Sequence, residues 1–142
     1  MIDDVIARLK ERVTDLRRVE GAAGFTAIME RRAWPENTPA AYVIPVSLAG
    51  GAATGGANSY VQATVETIGV VLILRPNDRL GTRGIEPVEG LKADVIAALA
   101  GWAPGDQTGD FTLKGGRMTN VQAGAFAYQI DFAISDQLRI LS

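Results

Sequence analysis

Ile2, Val5, Ile6, Leu9, Val13 and Leu16 recur at steps of three and four, which lines apolar side chains along one face of an α-helix. Asp3 and Asp4 fall in its first turn, and Lys10, Arg12, Arg17 and Arg18 fall toward its end. Both placements complement the helix dipole. The string Arg18-Val19-Glu20-Gly21-Ala22 reads as a short strand. A short second helix is predicted over residues 25–33, because Phe25, Ile28 and Met29 share one face. Pro35 and Pro39 then interrupt the chain.

Residues 41–48 read as a strand whose Pro45 has no amide hydrogen to donate, which places it at an edge or a bulge. Residues 49–59 contain Gly, Ala, Thr, Asn and Ser and no charge. Their small side chains and glycines predict a mobile hairpin loop. In residues 60–74 the pattern changes midway. Val61, Ala63 and Val65 alternate with Gln62, Thr64 and Glu66, whereas Ile68, Val70, Val71, Leu72, Ile73 and Leu74 are apolar on both faces. One long strand is therefore expected to pass from a half-wet setting into a core covered on both sides. Its first half either projects beyond the body or is sheathed by something outside this chain.

A polar loop follows from Arg75 to Gly84, and Pro87 suits the first turn of a helix. Val88, Leu91, Val95, Ile96 and Leu99 form its buried stripe, and Gly101 and Pro104 are stop signals. Residues 111–113 and 118–121 are expected to form a hairpin around Lys114-Gly115-Gly116-Arg117. Finally Phe126, Tyr128, Ile130, Phe132 and Ile134 alternate with Ala127, Gln129, Asp131, Ala133 and Ser135. That is a strand with one core face and one small or polar face.

Strands follow strands more often than helices separate them, so the expected class is α+β. The reading is an antiparallel or mixed sheet with two main helices packed on one side, a short extra helix and an extended hairpin or loop. No internal repeat and no second domain are visible, so residues 1–142 are expected to form one domain, in line with the usual domain size.

Composition narrows the chemistry. The formal net charge is −2, which does not advertise a nucleic-acid or membrane surface. The chain has no cysteine, hence no disulfide and no thiolate, and no histidine, the side chain that titrates most readily near neutrality. The first residues are acidic where a signal peptide is basic, and Val70-Val71-Leu72-Ile73-Leu74 is far shorter than the ~20 residues of a membrane helix. A soluble intracellular protein is expected.

The glycines Gly50, Gly51, Gly55 and Gly56 resemble a phosphate cradle only superficially, because no lysine follows and the next element is a strand. Asp3 with Asp4 suits a helix start, and Asp106 with Asp110 suits a turn. Asp131 and Asp136 lie on or beside the last strand, where a subunit contact or solvent explains them better than acid–base work. Without histidine, serine activation is limited to rarer lysine- or carboxylate-based routes. A small carboxylate-based enzyme is thus a minor alternative, and no catalytic, metal or cofactor residue is assigned. Arg75, Arg79 and Arg83 cluster in one loop, as contacts to phosphate or an acidic partner, or as a solvated loop balanced by Asp78, Glu86 and Glu89.

Read end to end, several strings carry a resemblance. They are the start Met1-Ile2-Asp3-Asp4-Val5-Ile6-Ala7-Arg8-Leu9-Lys10, then Val19-Glu20-Gly21-Ala22, Pro39-Ala40-Ala41-Tyr42-Val43-Ile44-Pro45 and Ile68-Gly69-Val70-Val71-Leu72. Val95-Ile96-Ala97-Ala98-Leu99-Ala100-Gly101-Trp102 and Tyr128-Gln129-Ile130-Asp131-Phe132 complete the set. In this order the chain resembles the tail terminator proteins of long-tailed bacteriophages, including those of phage-like gene transfer particles.

The resemblance implies a structural virion-assembly protein without catalytic residues or cofactor. It implies a subunit of a hexameric ring that caps the finished tail tube, stops its polymerisation and offers a face to the DNA-filled head. The implied partners are further copies of the chain, the tail tube protein and a head-completion or connector protein, with DNA passing through the lumen unread. The implied location is the tail neck of a particle assembled in the bacterial cytoplasm. A head–tail connector or stopper of the same neck is the alternative.

Pattern, and not the resemblance, suggests where contacts lie. Gly50, Gly51, Thr54, Gly55, Gly56, Asn58, Tyr60, Gln62, Thr64 and Glu66 are candidates for meeting the tube or a neighbour. Arg75, Arg79 and Arg83 are candidates for the lumen or a partner, and Gln129, Asp131 and Ser135 for a subunit interface.

Overall fold

The computed structural model describes residues 1–75, 78, 87–105, 107, 109–122 and 124–141. In chain order the elements are α1 (Ile2–Arg12), β1 (Arg18–Glu20), α2 (Ala22–Arg31), β2 (Ala40–Gly56), β3 (Ser59–Leu74), α3 (Pro87–Leu99), β4 (Thr112–Gln122) and β5 (Ala125–Leu141). The strands make one mixed sheet in the order β1-β2-β3-β5-β4. β1 lies parallel to β2, and every other neighbouring pair is antiparallel. The fold is α+β, as the pattern predicts.

α1 and α3 pack on the same face of the sheet. Val5 and Leu9 of α1 and Leu91, Val95 and Leu99 of α3 are buried with Ile68, Val70 and Leu72 of β3 and Ile130, Phe132 and Ile134 of β5. Each fully buried aliphatic side chain contributes about 1.5–3 kcal/mol. Arg8 joins the two helices, donating from Nε to the Ala98 carbonyl at 2.9 Å with its guanidinium 5.0 Å from the Trp102 ring centre. α1 ends at Arg12, so Val13 and Leu16 extend its apolar stripe from beyond the helix. Gly101, at φ +79°, ends the α3 segment as its sequence implies.

α2 packs on the opposite face, where Ile28 is buried with Tyr42, Val71, Ile73 and Ala127 and the Phe25 ring lies 5.8 Å from that of Tyr42. The two main helices thus share one side as expected, and the short one covers part of the other. α2 begins at Ala22, earlier than the apolar residues alone indicate, and stops where Arg32 turns left-handed at φ +55°.

Three local expectations are corrected. Residues 49–56 are strand, continuing β2, and residues 57–58 alone turn into β3. Their small side chains carry little strand preference, but the ladder to β3 supplies the hydrogen bonds. Lys114-Gly115-Gly116-Arg117 is not a hairpin turn but part of the unbroken β4, with a bulge between Leu113 and Gly115. β5 does not stop near Ser135 but continues to Leu141.

Candidate assembly interface

The central strands are longer than the body that covers them. β1 pairs only with Ala40, Ala41 and Tyr42, and the β4 ladder on β5 ends at Ala133. Past these limits β2, β3 and β5 continue together as a three-stranded ribbon, referred to below as the arm. Burial changes at the same place: β3 is buried from Thr67 to Leu74 and half-buried or exposed from Ser59 to Glu66. This is the half-wet strand that the pattern of residues 60–74 predicts. Pro45 stands next to a bulge in the ladder to β3 and beyond the end of β1, the kind of position where a sheet tolerates proline.

The arm contains all ten residues expected to meet the tube or a neighbour, from Gly50 to Glu66. Asn58 closes the tip at φ +65°, a left-handed conformation that asparagine tolerates better than most residues. A second bulge lies between Gly50 and Ala53, leaving Gly51 outside the paired register. The Gln62 amide Nε2 donates to the Gly51 carbonyl at 3.2 Å, and the Tyr60 hydroxyl donates to Gln62 Oε1 at 2.7 Å. A Cβ at Gly50 would stand 2.5 Å from Gln62 Nε2, so a larger residue there would shift the Gln62 amide. Thr64 faces Asp136 across the ladder, and Glu66 faces Ile134.

Sequence reasoning named Tyr60 as a contact but passed over the other exposed apolar side chains of the arm. Leu48 is 70% exposed, Ile140 50% and Leu141 86%, with Val46, Tyr60, Val65 and Leu138 also open to solvent. The signal was present, because the alternation of residues 126–134 resumes at Leu138 and Ile140.

Gln129, Asp131 and Ser135 share the face of β5 opposite α1 and α3, as strand alternation requires. Gln129 Nε2 donates to Asp131 Oδ1 at 2.8 Å, and Arg117 of β4 donates to Asp131 Oδ2 at 3.1 Å. Ser135 is exposed, and its backbone carbonyl lies against Gly109.

Arg75 is engaged within the fold. Its guanidinium donates to the Pro35 carbonyl and to Thr38 Oγ1, both at 3.0 Å, and its amide donates to Asp78 Oδ2 at 2.8 Å. The Thr38 hydroxyl donates to Asp78 Oδ1 at 2.9 Å, closing the network. Arg79 and Arg83 lie outside the described residues.

Clefts open beside α2. One between α2 and the sheet holds about 210 Å³ and is lined by Phe25, Met29, Trp34, Val71, Ile73, Thr119, Asn120, Ala127 and Gln129, none of them titratable. Another, of about 330 Å³, is lined by Arg18, Arg31, Ala33, Trp34, Pro35 and Glu36. Among the described residues no cluster of three metal-ligating side chains occurs, and no helix is long and apolar enough to cross a membrane.

The family model described as "Phage tail terminator protein" matches residues 2–141. A search of curated proteins found none that matches. With nearly the whole chain matched, this chain belongs to the phage tail terminator family, a structural tail component that caps the tail tube.

Proposed function

We propose that this chain is a single-domain subunit of a closed ring seated on the head-proximal end of the tail tube. The ring has six copies, by likeness to the family. It ends tube growth and presents its other face to a head-completion protein in the particle neck, while DNA crosses the lumen without being read. Assembly takes place in the bacterial cytoplasm.

The observation that carries this reading is the arm. A three-stranded ribbon normally needs a buried face to be stable. This one is solvated on both faces yet bears Leu48, Tyr60, Leu138, Ile140 and Leu141. Burying those side chains against tube or neighbour supplies what the free chain lacks. The ten arm residues from Gly50 to Glu66 are the proposed tube and neighbour contacts, and Gln129, Asp131 and Ser135 the proposed subunit contacts. Arg79 and Arg83 are retained as lumen or partner contacts, whereas the Arg75 side chain is engaged with Pro35 and Thr38.

Order of binding tests the proposal. Purified protein mixed separately with isolated tail tubes and with DNA-filled heads is expected to occupy tube ends first, and to form the ring there. Binding to heads in the absence of tubes would favour the connector reading instead.

A further inference from the structure

Resting on that ring reading, we propose that the ring closes by strand pairing between arms, the outer edge of β5 in one copy adding to the outer edge of β2 in the next.

Each arm has the two edges this requires. Among the described residues, β2 has no strand on its outer side after Tyr42, and β5 has none on its outer side after Ala133. Both strands run antiparallel to β3, so they run in the same direction as each other. Rotation about a ring axis preserves that direction. The joint is therefore a parallel pair, and the sheet repeats as β2-β3-β5 around the ring. A head-to-tail contact of this kind closes when its rotation closes.

β2 is also built to curve. It has bulges between Pro45 and Ser47 and between Gly50 and Ala53, and glycines at 50, 51, 55 and 56. Bulges and glycines are the devices that bend a sheet toward closure. Free edges are usually guarded by charge or proline along their length. On β2 Pro45 guards only the base and residues 46–56 carry no charge, whereas the β5 edge carries Asp136 and Arg139. Closure also brings Leu48 of one copy onto the same sheet face as Leu138 and Ile140 of the next. With three strands from each of six copies, the ring has about eighteen strands, a class of barrel that encloses an open channel.

The absence of cysteine makes the test clean. Within one copy β3 separates β2 from β5, so their Cα atoms lie about 10 Å apart, two strand spacings. Disulfides need roughly 7 Å or less. A bond between cysteines placed on these two strands therefore joins two copies. Four double variants combine Ala49→Cys or Thr54→Cys with Gln137→Cys or Arg139→Cys, all on one face of the arm. Oxidised on tube ends, at least one is expected to give a ladder on a non-reducing gel from dimer to the complete ring. The ladder collapses on reduction, and single-cysteine variants do not produce it. In wild-type rings, amides of residues 47–56 and 137–141 are expected to exchange at least tenfold more slowly than in the free chain.

Complete rings whose four double variants stay monomeric on the gel, with unchanged wild-type exchange, would overturn edge pairing and leave the ring reading standing. Wild-type protein that never forms a ring would overturn both.

Discussion

Gly69 and Asp131 stand opposite each other in the β3–β5 ladder, and the bare α-carbon of the first leaves room for the carboxylate of the second. A Cβ at Gly69 would lie 3.1 Å from Asp131 Oδ1, 3.1 Å from Val46 Cγ2 and 2.9 Å from Gln129 Nε2. The polar face of β5 thus depends on a glycine in the neighbouring strand. Gly69→Val is expected to displace the Gln129 amide from Asp131 and to crowd Val46, costing about 1–3 kcal/mol. Thermal unfolding measures it; an unchanged midpoint would contradict the packing described.

Arg75 is predicted to act on stability. Its side chain satisfies the Pro35 carbonyl and the Thr38 hydroxyl near the end of β3. Arg75→Ala leaves those groups short of a charged donor and is expected to cost about 1.5–3 kcal/mol in denaturant unfolding. Variants at Arg79 or Arg83, if they contact a partner, alter assembly and leave unfolding unchanged.

Tyr42 is buried beneath α2, and its hydroxyl has no hydrogen-bond partner among the described residues. Tyr42→Phe removes a desolvated polar group and is expected to stabilise the fold by about 1 kcal/mol. Burial, and secondarily the nearby negative charge of Glu20, raises the phenol's pKa above its ordinary 10.0. The folded state therefore holds the proton more tightly than the unfolded state does. That contribution is fully present below pH 10 and is lost as pH climbs from there through the raised value. Urea midpoints measured upward from pH 9 should fall more steeply for the wild type than for Tyr42→Phe.

The proposed role of the arm predicts that assembly can be lost while folding is kept. Tyr60 and Ile140 are register partners, both exposed and far from the buried cluster around Leu9 and Phe132. Replacing both with serine is expected to change the stability of the free chain by no more than about 0.5 kcal/mol. The same variant should lose at least tenfold in affinity for tube ends, measured by sedimentation with isolated tubes.

Much of this fold was legible as pattern, because burial on one face or two writes itself into residue spacing. The shift within residues 60–74 from alternation to a double-sided apolar run marks the point where β3 leaves the body. What escaped was held by tertiary partners. Residues 49–56 carry side chains too small to announce a strand, and their extended form comes from the ladder to β3. Gly115 and Gly116 look like a turn, yet both lie within β4, paired with Asp131 and Ile130 of β5, and a Cβ at Gly116 would stand 2.8 Å from the Tyr128 ring. The apolar face of α2 was readable at Phe25 and Ile28, but no spacing tells which side of a sheet such a helix will cover. Arg75 appeared as one of three equivalent loop arginines, since a hydrogen bond to a backbone carbonyl forty residues away has no local signature.

Tail length is the most direct measure of the central claim that this chain caps the tail tube. Tubes assembled from purified tube protein, with and without this chain, can be measured by electron microscopy. Tubes of limited length carrying one ring at one end are expected when the chain is present, and abnormally long, uncapped tubes when it is absent. Equal length distributions in the two preparations, with no density at the tube ends, would contradict it.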